Sequence, residues 1–502
     1  SSLIQHLVDT GVIHAERGRW KLPDALPEGA LPSDWHDVFR QTLAALSPEA
    51  HRIAEAIAML GRPTSLALLE RIPGIPHEET LYQAIDELQQ AGILHGPSEL
   101  DFGQRVHAAL VVETLNPEAI TAWHSRLTDA LEAAFAEDPG NLDLLNQLGT
   151  HALRSEHPER AIPFCLDAGL RNYALYANEA ACTFLEGGLA LLEKEPSALR
   201  LDLLSALGDA KRMLGDSAAA SQVYEEAVSV AEPRGKSADL ASILVSLGKA
   251  YQSQGKYEEA RSTLSRALEV AEASGNTKAK IRALMTLGRI YYFTGNAAKT
   301  APMLEEATAL SRQHGEMLTL SEGLAFLGFL FASSGKGQTE QGLGLLKESL
   351  SIKKHYNDLL GLNEANMMLG NAYLALGRYT EAYQAFEETR RLNTLIDQRD
   401  ELVFSQLNLA ATALELGEFR DAEAVAKQAL AGARELKSRM AEGMALAMEG
   451  MAAMHLGRLG EAITRVDEGL QIALDTRNRY LEMTLNGYRS ELLMTLGAIP
   501  EP

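Results

Sequence analysis

The sequence predicts an all-α fold: an α-solenoid of helix pairs preceded by a small winged-helix-like module. Three observations carry this. Small residues recur along the chain at Gly208, Gly248, Gly288, Gly328, Gly370, Ala410 and Gly450, with Ser490 a weak last member, at steps of 40 residues and one of 42. A period of that size belongs to stacked supersecondary units, each too small to bury its apolar face alone. The chain has 502 residues, too many for one compact core unless it is an elongated array. The period fails upstream of about residue 158, where short strand-like runs interrupt the helical pattern.

Composition narrows the function. A formal charge of −22 opposes binding to a phosphate backbone or an anionic membrane surface, both of which need clustered Lys and Arg. Cys165 and Cys182 are the two cysteines, too few for a disulfide framework and far from CxxC spacing; two buried thiols in a reducing compartment is the expectation. The longest apolar run, Leu324 to Ala332, is too short to span a bilayer. A cytoplasmic protein is expected. Ser1 and Ser2 lead directly into an apolar helical pattern without an initiator Met, which reads as a piece of a longer polypeptide.

Residues 1–40 read as the end of an upstream domain and a linker: a helix from Leu3 to Thr10, a charged turn at Arg17-Gly18-Arg19, then Trp20 to Pro23. Residues 41–117 change pattern, with helices expected near 49–60, 64–71 and 78–91 and strands at Ile93-Leu94 and Leu100 to Val106. Three helices followed by a ribbon is the winged-helix plan. Residues 118–200 form a helical connector holding a degenerate unit at 158–196, where Ala180, Phe184 and Gly187 keep the repeat spacing. Seven units of about 40 residues follow over 201–482, and 483–502 is a capping helix.

Within a unit that begins at Ala241, Gly248 is position 8, Tyr251 position 11, Gly255 position 15, Ala260 position 20 and Leu264 position 24. Small residues at 8 and 20 let two helices approach, and the large residues at 11 and 24 fill the space beside them. Glycine at 15 ends the first helix in the left-handed conformation it adopts cheaply. This pattern resembles the tetratricopeptide repeat in a 40-residue form, and the resemblance implies a right-handed superhelix.

Upstream, the order LVDTGVI…GRWKLP…LSPEAHRIAEAIAMLG…LYQAIDELQQAGIL resembles the region after the nucleotide-binding domain of STAND-type signalling ATPases. Trp123-His124 and the stretch from His151 to Gly169 support it, although the family's Phe-x-His pair is stretched here to Phe102 and His107. The resemblance implies an ATPase that this sequence does not contain: no GxxxxGK[ST] occurs, and Gly235-Lys236-Ser237 lacks the glycine five residues earlier. DNA reading by the winged-helix-like module is disfavoured, because ten acids and four bases between 41 and 115 give −6.

Catalysis finds no support. No HExxH or zinc-spaced Cys/His set occurs, Gly215-Asp216-Ser217 lacks the rest of a nucleophile elbow, and pairs such as Glu258-Glu259 repeat as solvated helix faces. No cofactor and no metal are expected.

In tetratricopeptide proteins the first helices line a concave groove, with positions 2, 5, 9, 12 and 13 facing it. Read across the units, these positions gather a basic zone of Arg212, Lys249, Arg282 and Arg289 with Tyr292 and Phe293; Asn371 stands at position 9, and from the fourth unit on the row turns apolar through Phe329, Phe404, Met444, Met451 and Met454, with Met448 beside them. Such a groove would take a protein or peptide segment with an acidic and an apolar end. The carboxylate clamp of chaperone-binding relatives is not reproduced, since Lys249 and Asn371 stand in non-adjacent units. The function expected is a non-catalytic scaffold or sensor, the regulatory arm of a STAND-type ATPase that binds a partner or its own upstream ATPase domain. A free-standing tetratricopeptide adaptor is the alternative, and an enzyme with an unrecognised site between 100 and 200 a third.

Overall fold

The structure, a computed structural model, describes residues 14–16, 19–21, 35–192, 196–333, 337–476, 478–495 and 497. The helix expected from Leu3 to Thr10, residues 334–336 within the one step of 42, and residues 498–502 of the expected capping helix lie outside them. The described residues hold 24 α-helices and five short strands. They divide into two compact units, 1–235 with 253–255, and 236–252 with 256–502.

The first unit opens with an antiparallel ribbon, β1 (His14–Glu16) and β2 (Arg19–Lys21). Helix α1 (Trp35–Ala44) precedes α2 (Pro48–Leu60), whose start is fixed by the Ser47 hydroxyl accepting from the Ala50 N–H and whose end is the left-handed Gly61. Then come β3 (Thr64–Ser65), α3 (Leu66–Leu69), α4 (Glu78–Gln90), β4 (Leu94–His95), β5 (Glu99–Phe102) and α5 (Arg105–Glu113). The three strands form one antiparallel sheet in the order β3-β5-β4, with Thr64 opposite Leu100 and Leu94 opposite Phe102. The helix expected over 64–71 is therefore split, because Thr64 pairs with β5. The strand expected to reach Val106 stops at Phe102, since α5 turns Leu110 and Val111 into the core and leaves Val106 exposed. The Glu87 carboxylate accepts from both the N–H (2.8 Å) and the hydroxyl (2.5 Å) of Ser47, tying α4 to the start of α2.

Helices α6 (Pro117–Glu137), α7 (Leu142–Ala152), α8 (Ala161–Ala174), α9 (Asn178–Ala190), α10 (Ala198–Met213) and α11 (Ser217–Ala231) complete this unit, most of them packed on their chain neighbours. Between α6 and α7, the buried rings of His124 and His151 meet through their Nδ1 atoms at 2.9 Å. One ring must be neutral to accept. Burial and the nearby Arg154 push His124 down to about 4; burial, then His124 and Arg154, push His151 down to about 3.

The second unit is a run of helix hairpins. Its first helices are α12 (Ala238–Ser253), α14 (Thr277–Phe293), α16 (Met317–Ser333), α18 (Leu359–Ala375), α20 (Arg399–Leu416), α22 (Arg439–His455) and α24 (Arg479–Thr495). The second helices are α13 (Tyr257–Ser274), α15 (Ala297–His314), α17 (Thr339–His355), α19 (Tyr379–Leu395), α21 (Phe419–Glu435) and α23 (Leu459–Asp475). The 40-residue beat has a direct cause here. A Cβ on Gly248 would stand 2.5 Å from Leu264 Cγ, and one on Gly370 would stand 2.5 Å from Phe386 Cε1. The small residue of each first helix thus admits the large position-24 residue of its partner. In the hairpin of α16 and α17 the approach is closer still, and a Cβ on Gly328 would meet the Gly342 carbonyl at 2.7 Å.

First helices end at left-handed glycines, among them Gly255, Gly295, Gly377, Gly417 and Gly457. Second helices close on the same geometry at Gly275 and Gly315, but then at Asn357, Asp397 and Lys437, with φ of 53°, 52° and 55°. The next residue's N–H closes the turn in each case, as Ser438 does on the Ala433 carbonyl at 2.9 Å.

Candidate functional site

In the second unit the first helices pack on one another in series, α14 on α16, α16 on α18, α20 on α22 and α22 on α24. Side chains that look along this face can therefore bridge repeats. Arg289 does so most extensively. It leaves α14, lays its guanidinium 5.7 Å over the Phe326 ring of α16, and brings Nη2 within 3.7 Å of Glu364 Oε1 on α18. Its Nε is buried and has no hydrogen-bond partner.

Further aromatic rings adjoin Phe326. Tyr292 stands edge-on to Phe326 (5.2 Å), Phe293 (5.4 Å) and Phe329 (6.5 Å). Phe293 is 56% exposed, and Tyr292 and Phe329 are half-buried. A guanidinium held against a ring is weakly hydrated, and its outer N–H groups stay free to fork onto a carboxylate. With 39% of the Arg289 side chain exposed, the arrangement offers a cation and an apolar shelf side by side. Glu364 offsets part of the charge, so the basic character is weaker than the sequence alone implies.

The remaining expected residues divide. Arg282 is exposed on α14; Lys249 on α12, Asn371 on α18 and Met444 on α22 are half-buried; Phe404 on α20 is 36% exposed. Arg212 belongs to the first unit, 3.9 Å from Asp209, which also accepts the Tyr224 hydroxyl. The methionine end of the row is a correction. Met448, Met451 and Met454 are 2%, 3% and 6% exposed and belong to the core. Met451 and Met454 share a cluster with Leu492 and Tyr488 of α24, which covers them. They offer no surface to a partner.

Two participants were not singled out from sequence. Phe326 falls at a core position of its helix, and Glu364 stands at position 2 of its unit, one of the groove-facing positions. A third feature, the glutamates Glu423, Glu449 and Glu461, brings carboxylate oxygens within 4.8 Å of one another. Arg458 bonds Glu423 and Glu461 at 2.5 and 2.9 Å, Lys427 bonds Glu423 at 2.5 Å, and Arg465 lies 3.4 Å from Glu449. Arg458 and Lys427 hold the Glu423 carboxyl below its ordinary range. Three cations already serve three acids. No described helix is long and apolar enough to cross a membrane.

Residues 239–313 and 362–435 match the tetratricopeptide repeat family model. No curated protein matches the sequence. Among solved structures, the chain is similar to a STAND (signal transduction ATPase with numerous domains) protein with a tetratricopeptide repeat sensor from Pyrococcus horikoshii. Identity is 14%, with 91% of this chain and 68% of that chain covered at a TM-score of 0.52. It is also similar to a Rap protein complexed with competence and sporulation factor, at 13% identity, 67% and 99% coverage and a TM-score of 0.46. The apo form of RapI aligns at 11% identity, 53% and 96% coverage and a TM-score of 0.45. The STAND likeness is one of fold.

Proposed function

We propose, from the premise that this chain carries tetratricopeptide repeats in an all-α solenoid, that it is a non-catalytic sensor and scaffold. Such repeats generally mediate contact between proteins. The face around Arg289 captures a segment of a partner protein, or of an ATPase domain upstream in the same polypeptide, that carries a carboxylate beside an apolar group. One observation carries this reading: the Arg289 guanidinium rests on Phe326 within a ring cluster whose outer member, Phe293, is exposed. Rings preorganise the cation, and preorganisation lowers the ordering cost of binding. The binding surface is shorter than the row of residues read from sequence, because Met448, Met451 and Met454 lie inside.

The fold likeness to a STAND protein, over 91% of this chain, supports a place in that class of signalling ATPase. The helices and three-stranded sheet between Pro48 and Phe102 support a winged-helix module between ATPase and repeats. Its four acids and no base on 78–91 favour packing over DNA reading. A cytoplasmic setting fits two cysteines whose thiols burial pushes upward, Cys165 to about 12.

The test is an array of peptides that join an acidic stretch to an apolar one, probed with the full chain. Arg289→Glu combined with Lys249→Glu should reduce capture at least tenfold while helical circular dichroism stays intact. Undiminished capture rejects the site. The ATPase assignment has its own test in the coding sequence before Ser1, where a Walker A and Walker B pair is expected and a start codon immediately ahead of Ser1 would contradict it.

A further inference from the structure

Helix α4 and the two strands after it carry charge of one sign. Residues 78–101 hold six acids, Glu78, Glu79, Asp86, Glu87, Glu99 and Asp101, and neither Lys nor Arg. Other acids of the first unit are matched: Glu49 pairs with Arg52 at 2.6 Å, Glu137 with Arg71 at 2.8 Å, and Asp143 with Arg62. Among the described residues, no Lys or Arg pairs with any of the six.

The same stretch folds into a groove. Ile85 of α4, Leu94 of β4 and Leu100 of β5 are buried and form its floor, beside the half-buried Leu66 of α3. The turn that closes it is fixed sterically. Gly96 stands at φ 112°, where a Cβ would collide with the Glu99 carbonyl oxygen, and the Gln89 side-chain N–H donates to the Gly96 carbonyl at 2.8 Å. The turn is thereby held against α4, beside an open space of about 490 Å³. Clefts of roughly 300–1,000 Å³ accommodate small ligands, so this one admits a side chain or two and not a whole helix.

On the α4 side, Tyr82 and Asp86 stand one helical turn apart on the same face. Tyr82 is 51% exposed, and Asp86 is exposed as well, so both groups meet solvent at the mouth of the groove. An exposed ring beside an unpaired carboxylate suits a side chain with an apolar stem and a cationic head. Arginine fits better than lysine, because its planar fork presents paired N–H groups to a carboxylate.

We propose that this groove binds an arginine side chain displayed by a partner protein. The stem lies against the Tyr82 ring and Leu66, and the guanidinium donates two N–H groups to the Asp86 carboxylate. The other acids of residues 78–101 favour the approach of a basic segment. Its polarity is opposite to that of the Arg289 face, and Tyr82 and Asp86 belong to the other compact unit, so the two readings stand or fall separately.

Isothermal titration of the full chain with acetyl-Ala-Ala-Arg-Ala-Ala-amide tests the proposal, with the citrulline peptide as an uncharged counterpart of the same shape. The expected result is saturable binding of the arginine peptide that weakens about tenfold in Asp86→Asn and about threefold in Tyr82→Ala. The citrulline peptide should bind the wild type about tenfold more weakly. Glu179→Gln, which removes an exposed acid on α9, should bind the arginine peptide as the wild type does. Tyr82 and Asp86 are exposed, so both groove variants should keep the wild-type circular dichroism. Absence of saturable binding, equal binding by wild type and either groove variant, or a loss in Glu179→Gln equal to that in Asp86→Asn, overturns the proposal.

Discussion

Arg289 and Met451 occupy the same position of their repeats, as do Tyr292 and Met454, yet the first pair is partly exposed and the second is core. The difference lies in the neighbours. Over α22, the Tyr488 and Leu492 side chains of α24 close on the methionines. Over α14, the neighbouring helix supplies Phe326, against which the Arg289 guanidinium rests partly exposed, and Phe329, which stands edge-on to Tyr292. Repeat position fixes the face a side chain looks toward; the adjoining repeat decides whether water reaches it.

The sharpest way to break this contrast is truncation at both places. Met451→Ala should cost about 2–5 kcal/mol through lost burial and a residual cavity, whereas Phe329→Ala should cost about 1 kcal/mol or less. Hydrogen exchange is the appropriate readout, since repeat arrays open locally. Protection in α22 to α24 should fall in the first variant and persist in the second. Equal losses would erase the distinction between the two ends.

Acid offers a second contrast, between the two compact units. His124 and His151 have folded values of about 4 and about 3, below the ordinary 6.5. The unfolded chain thus binds more protons than the folded one below pH 6.5. Their contribution is complete above that pH and declines as pH falls toward 4 and then 3, by about 1 kcal/mol per pH unit for each histidine. Exchange in α6 and α7 should accelerate over this window ahead of the helices around Arg289, and His124→Phe with His151→Leu should flatten the dependence.

A smaller effect separates glycine-capped from other second helices. Lys437 sits at φ 55°, where Gly275 and Gly315 sit in their repeats. Lys437→Gly should stabilise the joint by about 1 kcal/mol, and Asn357→Gly by less, because asparagine tolerates this region. A loss of stability would mean that the Lys437 side chain contributes more than its backbone costs. The smallest stability change belongs to Glu364→Gln, under about 1 kcal/mol for a half-exposed pair, but the freed Arg289 should capture acidic peptides more tightly.

The hairpins were legible because sterics leave no choice: Gly248 faces Leu264 and Gly370 faces Phe386, so the packing requirement is written as a column. Caps were legible where glycine marks them and silent at Asp397 and Lys437, whose residue types do not announce a left-handed backbone. The binding face could be read from register, but burial could not, since Met451 and Met454 are covered by a helix beyond their own repeat.

The central claim is that the Arg289 end of the row, and not its methionine end, holds the partner. A photo-crosslinking phenylalanine analogue placed at Phe329 or at Met451 tests it with an acidic-apolar peptide drawn from the array. The account predicts an adduct from position 329 that Arg289→Glu abolishes, and none from position 451. An adduct from 451, or one from 329 that survives Arg289→Glu, would contradict it.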